Sequence, residues 1–318
     1  MRNRGSFDRG NLKRFCAVCA LFLVPLAVLA ADPFYPVTVT DASGYRLTLT
    51  GPPQAIVSLT LTSDEMLVEL VSPARLKALD LFSSDPGISN IAGFASKFPI
   101  RIAAEKERIL ALQPDLVFLA DWKEKEFVQA LRDARVPVFV LKTASTLDEM
   151  RGALEQVAAL VGEPVRGRAM AEALDKRLKD VASVVATVPE TQRLSVLSYS
   201  FAGSTYGKGT SFDDLVNRAG LVNAATRAGL VGWPLLSKEQ VLALDPDIVV
   251  LPSWSYDGKD DPAKFQAAFV DDPVFASLKA VKNRRVVVLA DRHLQSGSQY
   301  MVDGVEDLAR AAYPGLFP

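Results

Sequence analysis

The chain has 318 residues, 49% hydrophobic and 23% charged, with 36 Lys and Arg against 37 Asp and Glu. That length accommodates two domains with sizeable cores. A formal net charge of −1 lacks the basic excess of a nucleic-acid-binding surface, and one histidine with two cysteines argues against a dedicated zinc or manganese site, which needs several N or S ligands.

Arg2, Arg4, Arg9, Lys13 and Arg14 precede an apolar run over 15–29, closed by Val28, Leu29 and Ala30. This is the plan of a secretory signal peptide cut after Ala30. The run is shorter than the roughly 20 residues of a membrane span, and Pro25 interrupts it. Cys16 and Cys19 both lie in this leader, outside a lipidation context. The exported remainder therefore has no disulfide, thiol nucleophile or thiolate metal site. Without the leader's five basic residues and one acid, the balance is 31 basic to 36 acidic.

Residues 37–40 and 47–50 flank the turn cluster 41–44 and read as a β-hairpin. A buried strand follows at 55–59. Thr62, Ser63, Asp64 and Glu65 then open a helix over 65–70, with hydroxyl and carboxylate groups suited to a helix N-terminus. Residues 76–80 form the next strand, and Asp85, Pro86 and Gly87 a loop.

The chain then states one pattern twice. Residues 107–120 read ERILALQPDLVFLA and residues 239–252 read EQVLALDPDIVVLP, an offset of 132. Each copy is a short helix, a Pro-Asp stop and a buried strand, at 116–119 and 248–251. Proline lacks an N–H and biases its neighbour away from the helix, hence the stop. Two copies so far apart predict two related α/β lobes with a cleft between them. The first lobe continues with a helix at 124–134 and a strand at 138–141, an alternation that favours a largely parallel sheet.

Helical periodicity dominates 147–161 and 165–185, a stiff connector in place of a Gly/Ser tether. The second lobe begins with a strand at 194–198. It adds a helix at 212–219, the second repeat, a helix at 262–269, a strand at 285–289 and a helix at 302–312. The expected domains are a signal peptide (1–30), an N-terminal lobe (31–145), a helical connector (146–190) and a C-terminal lobe (191–318). The glycine-rich stretch 203–211 lacks the register of a phosphate-binding loop.

With these elements placed, the chain resembles the periplasmic substrate-binding proteins of ABC importers for cobalamin, iron(III)-siderophores and haem. The resemblance rests on VTVTDASGYRLTL from Val37, PQAIVSL from Pro53, both repeat copies, LKAVKNRRV from Leu278 and VDGVEDLAR from Val302. It implies two Rossmann-like lobes with largely parallel sheets, joined by a single long backbone helix. The implied function is capture of an iron(III)-siderophore or related iron complex, with a corrinoid or haem as alternatives, for delivery to a permease dimer with its ATPase. The implied protein is periplasmic and monomeric, with no catalysis, cofactor or resident metal. A chelatase-like enzyme or a ligand-sensing module would share the two-lobed plan.

Candidate residues follow. The family presents one surface glutamate per lobe to permease arginines, and Glu107 and Glu239 fall at those positions; each also suits the start of its helix. Open α/β sheets bind ligands at strand ends. Trp122, Trp254 and Tyr256 lie just past the repeat strands, Phe82 past 76–80, and Tyr206 past 194–198. Trp233 matches a ligand-facing tryptophan of cobalamin-type members, and Arg101 an arginine that meets the chelate in siderophore-type members. His293, the single histidine, lies near the expected cleft. It, Tyr206 or Tyr256 could ligate haem iron.

Overall fold

The computed structural model describes residues 34–317; the leader, its cleavage point and both cysteines lie outside them. Strands β1 (Val37–Thr40) and β2 (Arg46–Leu49) pair antiparallel, with Val37 opposite Leu49. Asp41 Oδ1 accepts from Ser43 N and Tyr45 N and holds the turn between them. Five parallel strands follow: β3 (Ile56–Ser58), β4 (Leu76–Asp80), β5 (Arg101–Ile102), β6 (Leu116–Ala120) and β7 (Val138–Leu141). They lie in the order β5-β4-β3-β6-β7. A second parallel sheet contains β8 (Ser195–Ser198), β9 (Val222–Asn223), β10 (Ile248–Leu251) and β11 (Val286–Val288), in the order β11-β10-β8-β9. Strands β6, β7 and β10 are buried at every residue. Helices cover both faces of such sheets, so apolar runs replace alternation.

Each sheet reverses its winding once, between β3 and β6 and between β8 and β10. The repeat builds both reversals. Its helices, Lys106–Ala111 and Lys238–Leu244, are followed by left-handed residues at equivalent positions, Gln113 (φ 47) and Asp245 (φ 39), which turn the chain into the Pro-Asp step. The shared aspartate then staples the two strands at the reversal. Asp115 accepts from Gln54 N at 2.6 Å and Ala55 N at 2.8 Å. Asp247 accepts from Ser195 N at 2.8 Å and Ser195 Oγ at 2.7 Å. Replacing either aspartate with alanine is expected to cost about 1.5–3 kcal/mol, the worth of hydrogen bonds to a charged group. Thermal melts check this, and an unchanged midpoint would remove the staple from the account.

Between the sheets, helix Leu147–Leu160 turns at Gly162 (φ 78) into helix Pro164–Val185. At 22 residues and 1.5 Å per residue the latter is about 33 Å long. The last helix, Met301–Ala312, packs beside it, with Arg177 paired to Asp303 and Glu306. One buried cluster runs from Ile56, Leu116 and Phe139 of the first sheet through Leu154 and Leu174 to Val196, Ile248 and Val305. The lobes thus share a close-packed core, which resists bending more than a helical connector alone would. No helix among the described residues is long and apolar enough to cross a membrane.

Most expected elements lie within a few residues of their expected bounds. The helix expected at 65–70 differs most: it spans Leu61–Leu70. Asp64 stays in its first turn, as the sequence pattern suggested, but both Asp64 and Glu65 are buried. Strands β5 and β9 were not expected; two residues carry no periodicity.

Candidate ligand cleft

The C-terminal ends of the two sheets face one another. Asp80, at the end of β4, accepts from Phe82 N at 2.9 Å and turns the chain so that Phe82 leaves the strand end. From the other lobe, Asp291 fixes the segment after β10, its Oδ2 accepting from Ser253 N at 2.7 Å and Trp254 N at 2.9 Å. Burial raises the Asp291 carboxyl pKa, and these bonds with that of Gln295 offset part of the rise. Sequence reasoning missed Asp291; its signal was an acid just past an apolar strand.

Trp254 crosses between the lobes: its Nε1 donates to Asp85 Oδ2 at 2.8 Å. Phe82, Trp254 and Tyr256 form an aromatic triad, with ring centroids 6.1 Å, 5.5 Å and 6.0 Å apart. Arg292 Nη1 also reaches Pro86 O at 3.3 Å, and Asn90 Nδ2 reaches Arg292 O at 2.8 Å.

Trp122 and Trp233 differ from Trp254 in being 66% and 69% exposed. Trp233 lies on a segment zipped to the loop after β8: Thr205 N donates to Pro234 O, Gly207 N to Gly232 O and Gly232 N to Lys208 O. Val231 and Leu235 beside it are also exposed. This apolar strip is held by backbone bonds, and such pre-ordering lowers the entropy cost of binding. Tyr206 sits lower, half-buried against Phe212. Burial and the Asp291 charge raise its phenol pKa. It lines a cavity of about 40 Å³ with Ser198, Ser200, Asp291 and Gln295.

Beside the cleft the lobes are riveted by Glu65. Its Oε1 accepts from Asn90 N and Nδ2 at 2.8 and 3.0 Å, and its Oε2 from Ser296 Oγ and Ser298 Oγ of the other lobe. Gln299 Nε2 and Tyr300 Oη donate to Glu69 at 2.9 Å each. Neighbouring Asp64 is fully buried; its Oδ2 accepts from Asp80 N, and its Oδ1 has no hydrogen-bond partner among the described residues. Burial, then the Asp80 charge, pushes its carboxyl well above the usual range. A raised folded-state pKa means the folded protein holds the proton more tightly. Its stabilising contribution is present below the unfolded pKa of about 3.9 and is lost as pH rises through the folded value. Asp64→Asn should therefore gain on the wild type as pH is raised from about 4 toward neutrality, by up to about 1.4 kcal/mol per pH unit. Paired melts across that range check this, and a pH-independent difference would refute it.

Arg101 lies in β5, where its Nη1 donates to Ala95 O at 2.7 Å and Phe98 O at 2.8 Å. His293 lies in helix Asp291–Leu294, with Nδ1 2.6 Å from Asp307 Oδ2 and Nε2 3.4 Å from Arg292 Nε. Both side chains thus engage their own chain. Glu107 and Glu239 are exposed in the first turns of their helices. In each copy the following or preceding cation is engaged elsewhere: Arg108 with Glu105 at 3.6 Å and Lys238 with Asp272 at 2.6 Å. A capping box links Ser237 and Gln240, and the Ser237 hydroxyl holds the Glu239 carboxyl below its ordinary pKa. Among the described residues no three His, Cys, Asp or Glu side chains group to hold a metal ion.

This architecture recurs in known proteins. The chain is 26% identical over 290 residues to the uncharacterized ABC transporter substrate-binding lipoprotein YvrC of Bacillus subtilis, covering 89% of this chain and 87% of the relative. It is 27% identical over 282 residues to a cobalamin-binding protein of Halobacterium salinarum, covering 87% and 74%. A periplasmic heme binding protein from Pseudomonas aeruginosa superposes with a TM-score of 0.68 at 27% identity, covering 82% of this chain and 93% of that one. The model of the periplasmic binding protein family matches residues 56–293. With its two parallel sheets opposed at their strand ends, the chain belongs to the periplasmic binding protein family.

Proposed function

We propose that this protein, exported by its leader and cut after Ala30, captures a corrinoid in the cleft and delivers it to an ABC permease without catalysing a reaction. The observation that carries the ligand class is the exposure of Trp122 and Trp233 on opposite lobes, flanked by Val231 and Leu235. Rigid aromatic and aliphatic walls suit a large organic face with little net charge. A ferric siderophore, the ligand to which Arg101 pointed, loses support because two carbonyls of its own lobe hold the Nη1 of that guanidinium. Haem ligation by His293 loses support because Asp307 and Arg292 engage its ring nitrogens. The Halobacterium cobalamin-binding relative supports the corrinoid reading. Glu107 and Glu239, one per lobe and in no ion pair among the described residues, are the proposed permease contacts.

Isothermal titration with cobalamin, haem and ferric hydroxamate and catecholate siderophores tests the ligand. Cobalamin should bind, and Trp122→Ala or Trp233→Ala should each weaken it about tenfold or more, as loss of a buried aromatic anchor does. Binding of a ferric siderophore or haem in preference to cobalamin would overturn the corrinoid reading.

A further inference from the structure

The two halves of the cleft are unlike. The repeat offset of 132 relates position 122 to position 254, and both are tryptophan just past a repeat strand. Equivalent residues would have equivalent surroundings in a symmetric pair of lobes. Trp254 instead lies against the opposite lobe, its Nε1–H on the Asp85 carboxylate at 2.8 Å and its indole edge-on to Phe82. Gly87 makes the seat possible: a Cβ there would lie 2.3 Å from Trp254 Cδ1. Asp85 holds the seat's shape, its Oδ1 accepting from Gly87 N at 2.8 Å. The Nζ of its neighbour Lys123 lies over the Trp122 ring at 4.7 Å, and the side chain is otherwise largely open, 66% exposed.

We infer that Trp254 is a specificity-determining residue: seated in the Asp85–Gly87 slot, it shuts one half of the cleft and confines the ligand to the half walled by Trp122 and Trp233. A hydrogen bond to a carboxylate in a partly buried seam is among the stronger kinds. A ligand extending into this half must break that bond and unseat the indole, and regains neither. Ligands with a larger footprint are thereby selected against, as discrimination between partners often requires. This rests on the cleft being the ligand site proposed above.

The chain has three tryptophans, so Trp254 is the single emitter in a Trp122→Phe, Trp233→Phe background. In that ligand-free protein Trp254 should be shielded from acrylamide. Gly87→Ala, which forces the indole aside, and Asp85→Ala, which removes its acceptor without adding bulk, should each raise the quenching constant severalfold. Equal quenching in all three proteins would overturn the seat. Selectivity is read with all three tryptophans present, using cobinamide and cobalamin, which share a corrin ring and differ by the nucleotide loop. Gly87→Ala should shift the ratio of their Kd values toward the larger ligand by about tenfold; an unchanged ratio would overturn the selective role. Failure of both corrinoids to bind would sink the ligand class, while the quenching series still decides the seat.

Discussion

Transport should collapse when Glu107 and Glu239 are both reversed to arginine, while ligand capture stays intact. Both carboxylates stand exposed at equivalent points of the two lobes, and the adjacent Arg108 and Lys238 are paired to Glu105 and Asp272. Each glutamate therefore presents its charge beside a cation already paired to another carboxylate. An exposed ion pair is worth only about 0–1 kcal/mol, so removing one charge is a weak test. Reversal sets like charges against each other across an interface and costs more, about 2 kcal/mol per site. Two independent sites compound to roughly a thousand-fold in affinity. The measurement is ligand uptake into proteoliposomes holding the permease, with calorimetric ligand affinity as control. Wild-type uptake by the double variant would remove both glutamates from the docking surface.

Glu65→Ala should destabilise the protein by about 3–5 kcal/mol, the range for breaking a buried charged network. Glu65 is 1% exposed and accepts from two donors of Asn90 and from Ser296 and Ser298 of the opposite lobe. Truncation strands those donors in a closed space, and an unmet buried donor costs its full desolvation. Glu65→Gln keeps the volume and an acceptor for Asn90, and the serine hydroxyls can rotate to accept from the amide; it should cost less than half as much. Denaturant melts give the magnitudes. Hydrogen exchange gives the location: protection should fall over 61–70 and 290–300 together. A loss confined to the first segment would mean that Glu65 stabilises its own lobe and does not join the two.

Much of the fold was legible because its signals are local. The Pro-Asp steps at 114–115 and 246–247, the apolar strands behind them and the amphipathic helices on either side are all set by neighbouring residues. The same patterns identified the duplicated helix, Pro-Asp stop and strand; the reversal of winding they build came from the sheet order. They did not show that Asp115 and Asp247 staple strands 60 and 52 positions away, because the partners are distant backbone N–H groups. Nor did they show Asp64 and Glu65 buried. Acids near a helix start read as charges favoured by the helix dipole, and only the folded chain shows both turned inward, Asp64 onto Asp80 N and Glu65 onto Asn90.

The site divides along the same line. Aromatic residues just past strand ends marked Phe82, Trp122, Tyr206, Trp254 and Tyr256, since open parallel sheets expose those ends, and the family resemblance marked Trp233. The resemblance marked Arg101 and a place near the expected cleft marked His293, and the tertiary structure engages both within the chain.

From the sequence by itself came the two related lobes, the class of fold, and the helix starts and strand ends proposed as permease and ligand contacts. Each of these follows from short-range periodicity and from a repeat that can be counted. Tertiary structure alone decided that Trp122 and Trp254, at equivalent positions of the repeat, have unlike surroundings: one is 66% exposed and the other is bonded to Asp85 of the opposite lobe. The physical reason is that a side chain's surroundings are set by what the other lobe places against it. Gly87, 167 positions away in the chain, leaves space for one indole, and no pattern local to either tryptophan carries that information.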